Sequence, residues 1–513
     1  MKFGDIVFLV SRGEKEEDLK VELSINNSCI RPIKLYRGKS KIDNIKCDED
    51  FYVDSNFIYV DKKKDSINLE YEVLIGQFSK HGKGGSIEEG LITFMGEQFL
   101  LMPVEILAMQ DGDILEGKIE IDFMDLRESL SLNYKNVNFI RDIIPFREET
   151  FKSSCKEASW TDIYEIMKSP YTFGNFKEMA LKEDNKNIKI FYEEKYLNKK
   201  EKEDIIKNIF SLCSYYYDLF ETKNKEISIV LLRKSEKEFS YILGGCGKNI
   251  ISATFLRGNK RDWQLLSHRL FHSFMDSILP SRHYHLPPNL WLTEGLATYY
   301  ENLALNSLEE EIKKNLDIDF NKEMARLYTR YLYMTLKDPK RFNIAPMEEG
   351  RIKSHGKMEF LHYTKAPLIV YFIESLNPLF KDNIIKKLLY YRNNIFSLER
   401  LFYSIFSKEC TYFANQYLFR STLLPLWDLG RYINEEEIMP VLEEYEYILW
   451  TWFSREEEGY LKEEFNYDNY KDKSLIDKED PIIYNKFIDE RISEYSKRLS
   501  LIIKEKLYKG ENL

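Results

Sequence analysis

Apolar and polar residues alternate through much of the first 145 residues. The alternation runs through Val21–Ile25, Ile67–Tyr71, Lys118–Phe123, Leu130–Tyr134 and Val137–Phe139. A period of two sends successive side chains to opposite faces, leaving one face apolar and the other polar. This predicts antiparallel sheets, arranged as a β-sandwich or saddle. From about residue 185 the pattern changes. Ile188–Tyr192 reads as a strand. Lys199–Glu221 has apolar residues at 205, 206, 209, 210, 213, 216 and 220, the spacing of one helix face. Ile227–Leu232, Phe239–Leu243 and Ile250–Phe255 read as strands, with a turn at Gly244–Gly247. After Arg261 nearly everything reads as helix, broken by Pro280, Pro287 and Pro288. Residues 410–513 read as mainly helical, and the polar run Asn466–Pro481 as an exposed loop.

Charge and composition narrow the partners. The formal net charge of -10 argues against general nucleic-acid binding and against an anionic membrane surface. No stretch approaches the roughly 18 unbroken apolar residues of a membrane helix, so no membrane insertion is expected. The N-terminus lacks a small-residue cleavage site and does not read as a signal peptide. Cys29, Cys47, Cys155, Cys213, Cys246 and Cys410 are scattered with no CxxC pair. Free thiols in a reducing cytoplasm are the expectation. Nothing in the sequence sets the oligomeric state.

The candidate chemistry lies in Ser267-His-Arg-Leu-Phe-His272 and in Pro287-Pro-Asn-Leu-Trp-Leu-Thr-Glu-Gly-Leu-Ala-Thr-Tyr-Tyr-Glu301. His268 and His272 stand at i and i+4, which puts both imidazoles on one helix face, one turn apart. Glu294 opens the next helix, and an antiparallel return could bring its carboxylate to the same point. Two imidazoles and one carboxylate are a catalytic zinc set with the fourth position left for water. A bare HxxxH is common on helices, and the downstream segment is what raises it above that background. His283 and His285 flank the prolines as loop histidines. Cys246 reads as a small buried side chain and Asp276 as a polar-face residue.

Trp291-Leu-Thr-Glu-Gly-Leu-Ala-Thr-Tyr-Tyr-Glu301 resembles the WxxEGxAxYxE segment of gluzincin metallopeptidases of the glycyl aminopeptidase type, which are related to aminopeptidase N. The resemblance implies a thermolysin-like fold with His268, His272 and Glu294 as zinc ligands. It implies that Glu301 supports a ligating histidine from behind. Gly90–Pro103 is similar to the end of the N-terminal β-domain of these peptidases, and Ser169–Phe176 to the segment entering their catalytic domain. Gly244 and Gly245 fall where the families place an edge strand that pairs with substrate backbone. His362-Tyr-Thr-Lys-Ala366 resembles a YxKG motif, which implies Tyr363 as the oxyanion donor. The expected architecture is multidomain α+β. It has an antiparallel β-sandwich over 1–150, a thermolysin-like domain over 151–400 and a mainly helical region over 401–513. No PDZ-like strand pattern follows.

Three departures from the family pattern matter. Arg269 stands where HExxH has the glutamate that takes a proton from zinc-bound water. A guanidinium has no acceptor and cannot act as a base near neutral pH. Gly247 replaces the glutamate of the aminopeptidase N GxMEN motif, which holds the substrate's free amine. The 21 residues between His272 and Glu294 exceed the aminopeptidase N spacing and fit a Pro-rich loop. Arg269 has several open roles: repelling the metal, pairing with Glu294, holding a ligand carboxylate, or facing solvent after activity was lost. The reading that follows is a peptidase-like protein with lost or reduced hydrolysis that binds a peptide or protein partner, with or without zinc. The alternative is a working zinc hydrolase with a relocated base.

Overall fold

The computed structural model describes most of residues 4–442. The longer stretches outside the description are 27–31, 127–137, 141–146, 195–198, 236–240, 280–283, 338–341, 376–382 and 392–413, together with 443–513 apart from isolated positions. The chain divides into two compact units, Met1–Arg282 and His283–Leu513. It is a mixed α+β protein with several antiparallel sheets in the first unit and helices through the second.

In the first unit the period-two segments form the expected strands. Asp18–Asn26 buries Leu19, Val21, Leu23 and Ile25 completely. It pairs antiparallel with Ser66–Leu74, so that Val21 faces Tyr71 and Leu23 faces Leu69. Each such side chain contributes about 1.5–3 kcal/mol when fully buried. These two strands lie in a seven-stranded sheet, in which Asp5–Arg12 and Lys118–Asp122 form a parallel pair (Ile6 opposite Ile119). A four-stranded sheet joins Leu91–Met95 to Pro170–Gly174, segments far apart in sequence. Phe94, Phe99, Phe123, Tyr171 and Phe173 stack around that seam at centroid distances of 5.2–6.1 Å. Leu130–Tyr134 lies outside the described residues, and Val137–Phe139 overlaps a short strand at Asn138–Ile140.

The sheet that borders the candidate site has five strands, in the order Lys177–Glu183, Lys186–Tyr192, Glu226–Leu232, Ile250–Thr254 and Gly245–Cys246. The middle pairings are parallel, and the last, Gly245 opposite Ser252, is antiparallel. Two expectations are corrected here. Residues 241–243 are no strand; Ile242 makes a single bridge to Lys83, whose backbone bonds Tyr241 and Leu243 and takes over their pairing. The turn read over Gly244–Gly247 is shorter than expected: Gly245–Cys246 is an edge strand, as the resemblance implied for Gly245, and the turn follows it, closed by Gly247 N–H donating to Ile250 O at 2.8 Å.

The second unit is helical. Its helices include Leu290–Ala304, Phe320–Lys337, His355–Phe360 and Ala366–Ser375, with a wide π turn, Leu361–Lys365, continuing directly into the last of these. The described part of the expected helical tail includes Trp427–Tyr432 and a helix over 436–442. Tyr328 ties it down by donating to Leu424 O at 2.8 Å. Asn466–Pro481 falls outside the described residues. Among those described, no helix is long and apolar enough to cross a membrane.

Candidate metal centre

Both histidines sit on the helix Lys260–Ile278. Asn259 caps its start by accepting from Arg261 N–H at 2.9 Å. Its apolar face, with Trp263, Leu266, Leu270, Phe271 and Phe274, is buried. Tyr216 stacks on Phe274, and its hydroxyl bonds Ser267 Oγ at 2.8 Å. At the other end the Lys225 amine donates to Ser273 O at 3.2 Å, to Ser277 Oγ and to Lys248 O. A cation there satisfies carbonyls of the last turn and suits the negative end of the helix dipole. Asp276, read from sequence as a polar-face residue, is instead buried, and Lys168 donates to it at 2.7 Å. Burial pushes the Lys168 amine down, but the Coulombic pulls of Asp276, Tyr164, Cys246 and Glu165 together outweigh it and hold the amine well above its ordinary range.

This firm seating fixes the i, i+4 pair. His268 Nε2 and His272 Nε2 stand 3.1 Å apart, and His272 is buried. Two nitrogens bound to one tetrahedral zinc at about 2.0–2.1 Å stand roughly 3.3 Å apart, so the pair already has the spacing of shared coordination.

Arg269 does not face solvent; it is buried. Its Nη1 donates to the carbonyl of Ser252, on the strand next to the edge. Gly244, at φ +59°, makes room for this: a Cβ there would lie 2.2 Å from the same Ser252 oxygen. Burial pulls the guanidinium down to about 10, still charged at neutral pH, with the neighbouring Cys246 working against that shift. Burial also raises the Cys246 thiol, which Lys168 partly offsets, so this cysteine is protonated and no ready nucleophile.

Glu294 is on the helix Leu290–Ala304 of the second unit. That helix has no side-chain cap at Asn289. Instead the buried Glu349 accepts from Leu290 N–H at 3.0 Å, and also bonds His362 Nε2. Thr293 Oγ1 donates to Tyr284 O at 2.7 Å. Gly295 lets the helix lie against Ala366. Tyr363, in the π turn, has its phenol held well above the ordinary range by burial first, then by the charge of Glu294, which it also hydrogen-bonds. Glu301 is two turns beyond Glu294 on the same helix, where Asn302 Nδ2 lies 3.3 Å from its Oε1. His285 is buried, and His283 lies outside the described residues. Glu349 and His362 had no functional signal in sequence, since neither stands at a motif position.

The ligand atoms of His268, His272 and Glu294 lie within 4.8 Å of one another. Two imidazole nitrogens and a carboxylate oxygen are the donor chemistry that zinc prefers.

No family model matches the chain, and no curated protein matches it. Among solved structures it is similar to an aminopeptidase N family protein from Idiomarina loihiensis, with 11% identity, a TM-score of 0.58, and coverage of 83% of this chain and 78% of that one. A weaker likeness is to Legionella pneumophila aminopeptidase A in complex with aspartic acid. There the identity is 12%, the TM-score 0.44, and the coverage 84% of this chain but only 49% of that one, too low a score to carry weight. The first likeness shows that this chain has an aminopeptidase N-like multidomain fold.

Proposed function

We propose that the protein is a metallopeptidase-like zinc binder in which hydrolysis is lost or much reduced, and which binds a peptide or protein partner. The observation that carries this is the convergence of His268, His272 and Glu294 beside a buried guanidinium at the position where the family motif has its base. His268, His272 and Glu294 would hold the metal, which when bound polarises a carbonyl and makes a coordinated water acidic. Arg269 cannot accept that proton: it has no lone pair, and its Nη1 is tied to Ser252 O. Tyr363 keeps its phenol proton and can donate to a developing oxyanion. The edge strand Gly245–Cys246, preceded by Gly244, is the element on which an extended ligand would add as a further strand. Glu301 would steady a ligating histidine. In this reading residues 1–150 are the N-terminal β-domain, 151–400 the peptidase-like domain and 401–513 an added helical region. Cys47, Cys213 and Cys246 are free thiols, which suits a reducing cytoplasm.

The test is metal content by plasma mass spectrometry on protein purified without an affinity metal, alongside turnover of fluorogenic peptides. Wild type should carry about one zinc per chain, as expected for three protein ligands with the fourth position open to water, and His268→Ala none. Wild type should leave the peptides intact. Enzyme-like turnover by wild type overturns the loss of hydrolysis; an empty wild type after zinc addition overturns the metal site.

A further inference from the structure

A second buried arginine shows how this protein ordinarily neutralises one. Arg233 is 6% exposed and lies between two carboxylates, Glu193 at 2.7 Å and Glu88 at 3.5 Å. Lys168, on the same sheet's flank, has Asp276. Arg269 is different. It is 9% exposed, and among the described residues its hydrogen bonding comes to one neutral acceptor, Ser252 O, with no carboxylate in ion-pair reach. A guanidinium has five N–H donors in a planar fork, so one carbonyl leaves most of it unused. A buried charge without a counter-charge is costly, and this one is positioned rather than stray. Ser252 is the residue directly opposite Gly245, so the fork is anchored at the register of the edge strand. That strand is paired on one side, to Ile250–Thr254; among the described residues no strand pairs with its other side.

We propose that Arg269 is an anion-binding residue that receives a carboxylate of an extended peptide lying along the edge strand Gly245–Cys246. The ligand's backbone would add to the open edge, and its carboxylate would meet the free arm of the guanidinium bidentately at the level of Gly245. This gives the substituted position a task that a glutamate could not perform, because a carboxylate there would repel the ligand. The inference rests on the proposed reading of the edge strand as a peptide-binding element, and it holds with or without metal. Both a peptide's C-terminal carboxylate and an Asp or Glu side chain supply the required group.

Isothermal titration of the full chain separates these cases. The probes are alanine tetrapeptides: one with a free C-terminal carboxylate, one amidated, and one amidated with aspartate at the last position. Wild type should bind a carboxylate-bearing probe about 10- to 100-fold more tightly than the plain amide, the usual worth of a charge-assisted hydrogen bond. Tight binding of the free acid alone identifies the terminal carboxylate as the ligand group, and equally tight binding of the aspartyl amide admits the side chain. Arg269→Gln should erase the preference, and Arg269→Lys, which keeps the charge but loses the fork, should retain part of it. Equal affinity of wild type for all three probes, no binding of any, or a preference that survives Arg269→Gln overturns the proposal. The wild-type comparison decides even if neither variant folds. Zinc stoichiometry on the same samples keeps the two readings apart. Zinc without carboxylate preference defeats this inference alone, and carboxylate preference without zinc defeats the metal site alone.

Discussion

Glu349 accepts a hydrogen bond from the backbone N–H of Leu290 at 3.0 Å, and so holds the first turn of the helix that carries Glu294. The same carboxylate bonds His362, the residue before Tyr363. One buried acid therefore fixes the approach of two segments that carry site residues. Removing it leaves a helix N-terminus uncapped and an imidazole without its acceptor. Glu349→Ala should cost about 2–4 kcal/mol, the loss of a helix cap together with a buried donor left unpaired. Glu349→Gln keeps one acceptor oxygen and should cost less. Urea denaturation of both variants checks the order.

Gly295 is the residue after Glu294, and a Cβ built on it would stand 2.6 Å from Ala366 Cβ and 2.9 Å from the Ala366 carbonyl carbon. The second contact is backbone and cannot step aside. Gly295→Ala should therefore destabilise by about 1–3 kcal/mol through overpacking. It should also weaken zinc binding, because the helix must shift away from the Tyr363 segment. Ala366→Gly in the same chain relieves the methyl contact only, so the double variant should recover part of the loss. A thermal-denaturation double-mutant cycle with zinc titration measures both effects.

The two halves of the candidate site differed in how legible they were. The i, i+4 histidines follow from helix geometry alone, and the structure sets their Nε2 atoms 3.1 Å apart. Glu294 was visible through the WLTEGLATYYE segment. The strands around Val21 and Leu69 were visible because one face is buried and the period is strict. Glu349 was not, because its partners lie 59 and 13 residues away and no local period connects them. The direction of Arg269 was not either. It depends on a carbonyl of Ser252 left accessible by Gly244, a tertiary fact that composition cannot carry. Residues 241–243, Tyr-Ile-Leu, read as the end of a short apolar strand, yet their backbone partner is Lys83, far away in sequence.

Lys365 gives the protein a pH-dependent term. Its amine is buried and donates to Ile344 O at 2.5 Å, and burial pushes it down to about 7. An unfolded lysine titrates near 10.4. Between these values the unfolded chain binds the proton and the folded chain does not, so stability rises with pH across that window. Below about 7 both states are protonated and the fold bears the full cost of burying the charge. Lys365→Met should flatten the dependence. The difference between wild type and variant in unfolding free energy should change by up to about 1.4 kcal/mol per pH unit between roughly pH 7 and 9. Urea midpoints at pH 6, 7, 8 and 9 give the slope, and parallel profiles for the two chains would show that Lys365 titrates normally.

Arg269→Glu tests what the substitution removed. The new carboxylate restores a proton acceptor beside the histidine pair. It also turns an acceptor toward Ser252 O, where a donor now sits. Two acceptors facing each other should cost about 1–3 kcal/mol, the penalty for an unsatisfied buried group, seen as a lower unfolding midpoint. Against that loss, a general base is typically worth about 10²–10⁴-fold in rate. The zinc-loaded variant should therefore begin to cleave fluorogenic peptides that wild type leaves intact, while Arg269→Gln stays silent. In the proposed reading Gly247 offers no carboxylate to a free amine, so peptides with blocked N-termini should be cleaved as readily as free ones. A zinc-loaded, folded Arg269→Glu that remains inactive would mean that the groove, and not the missing base alone, has departed from hydrolysis.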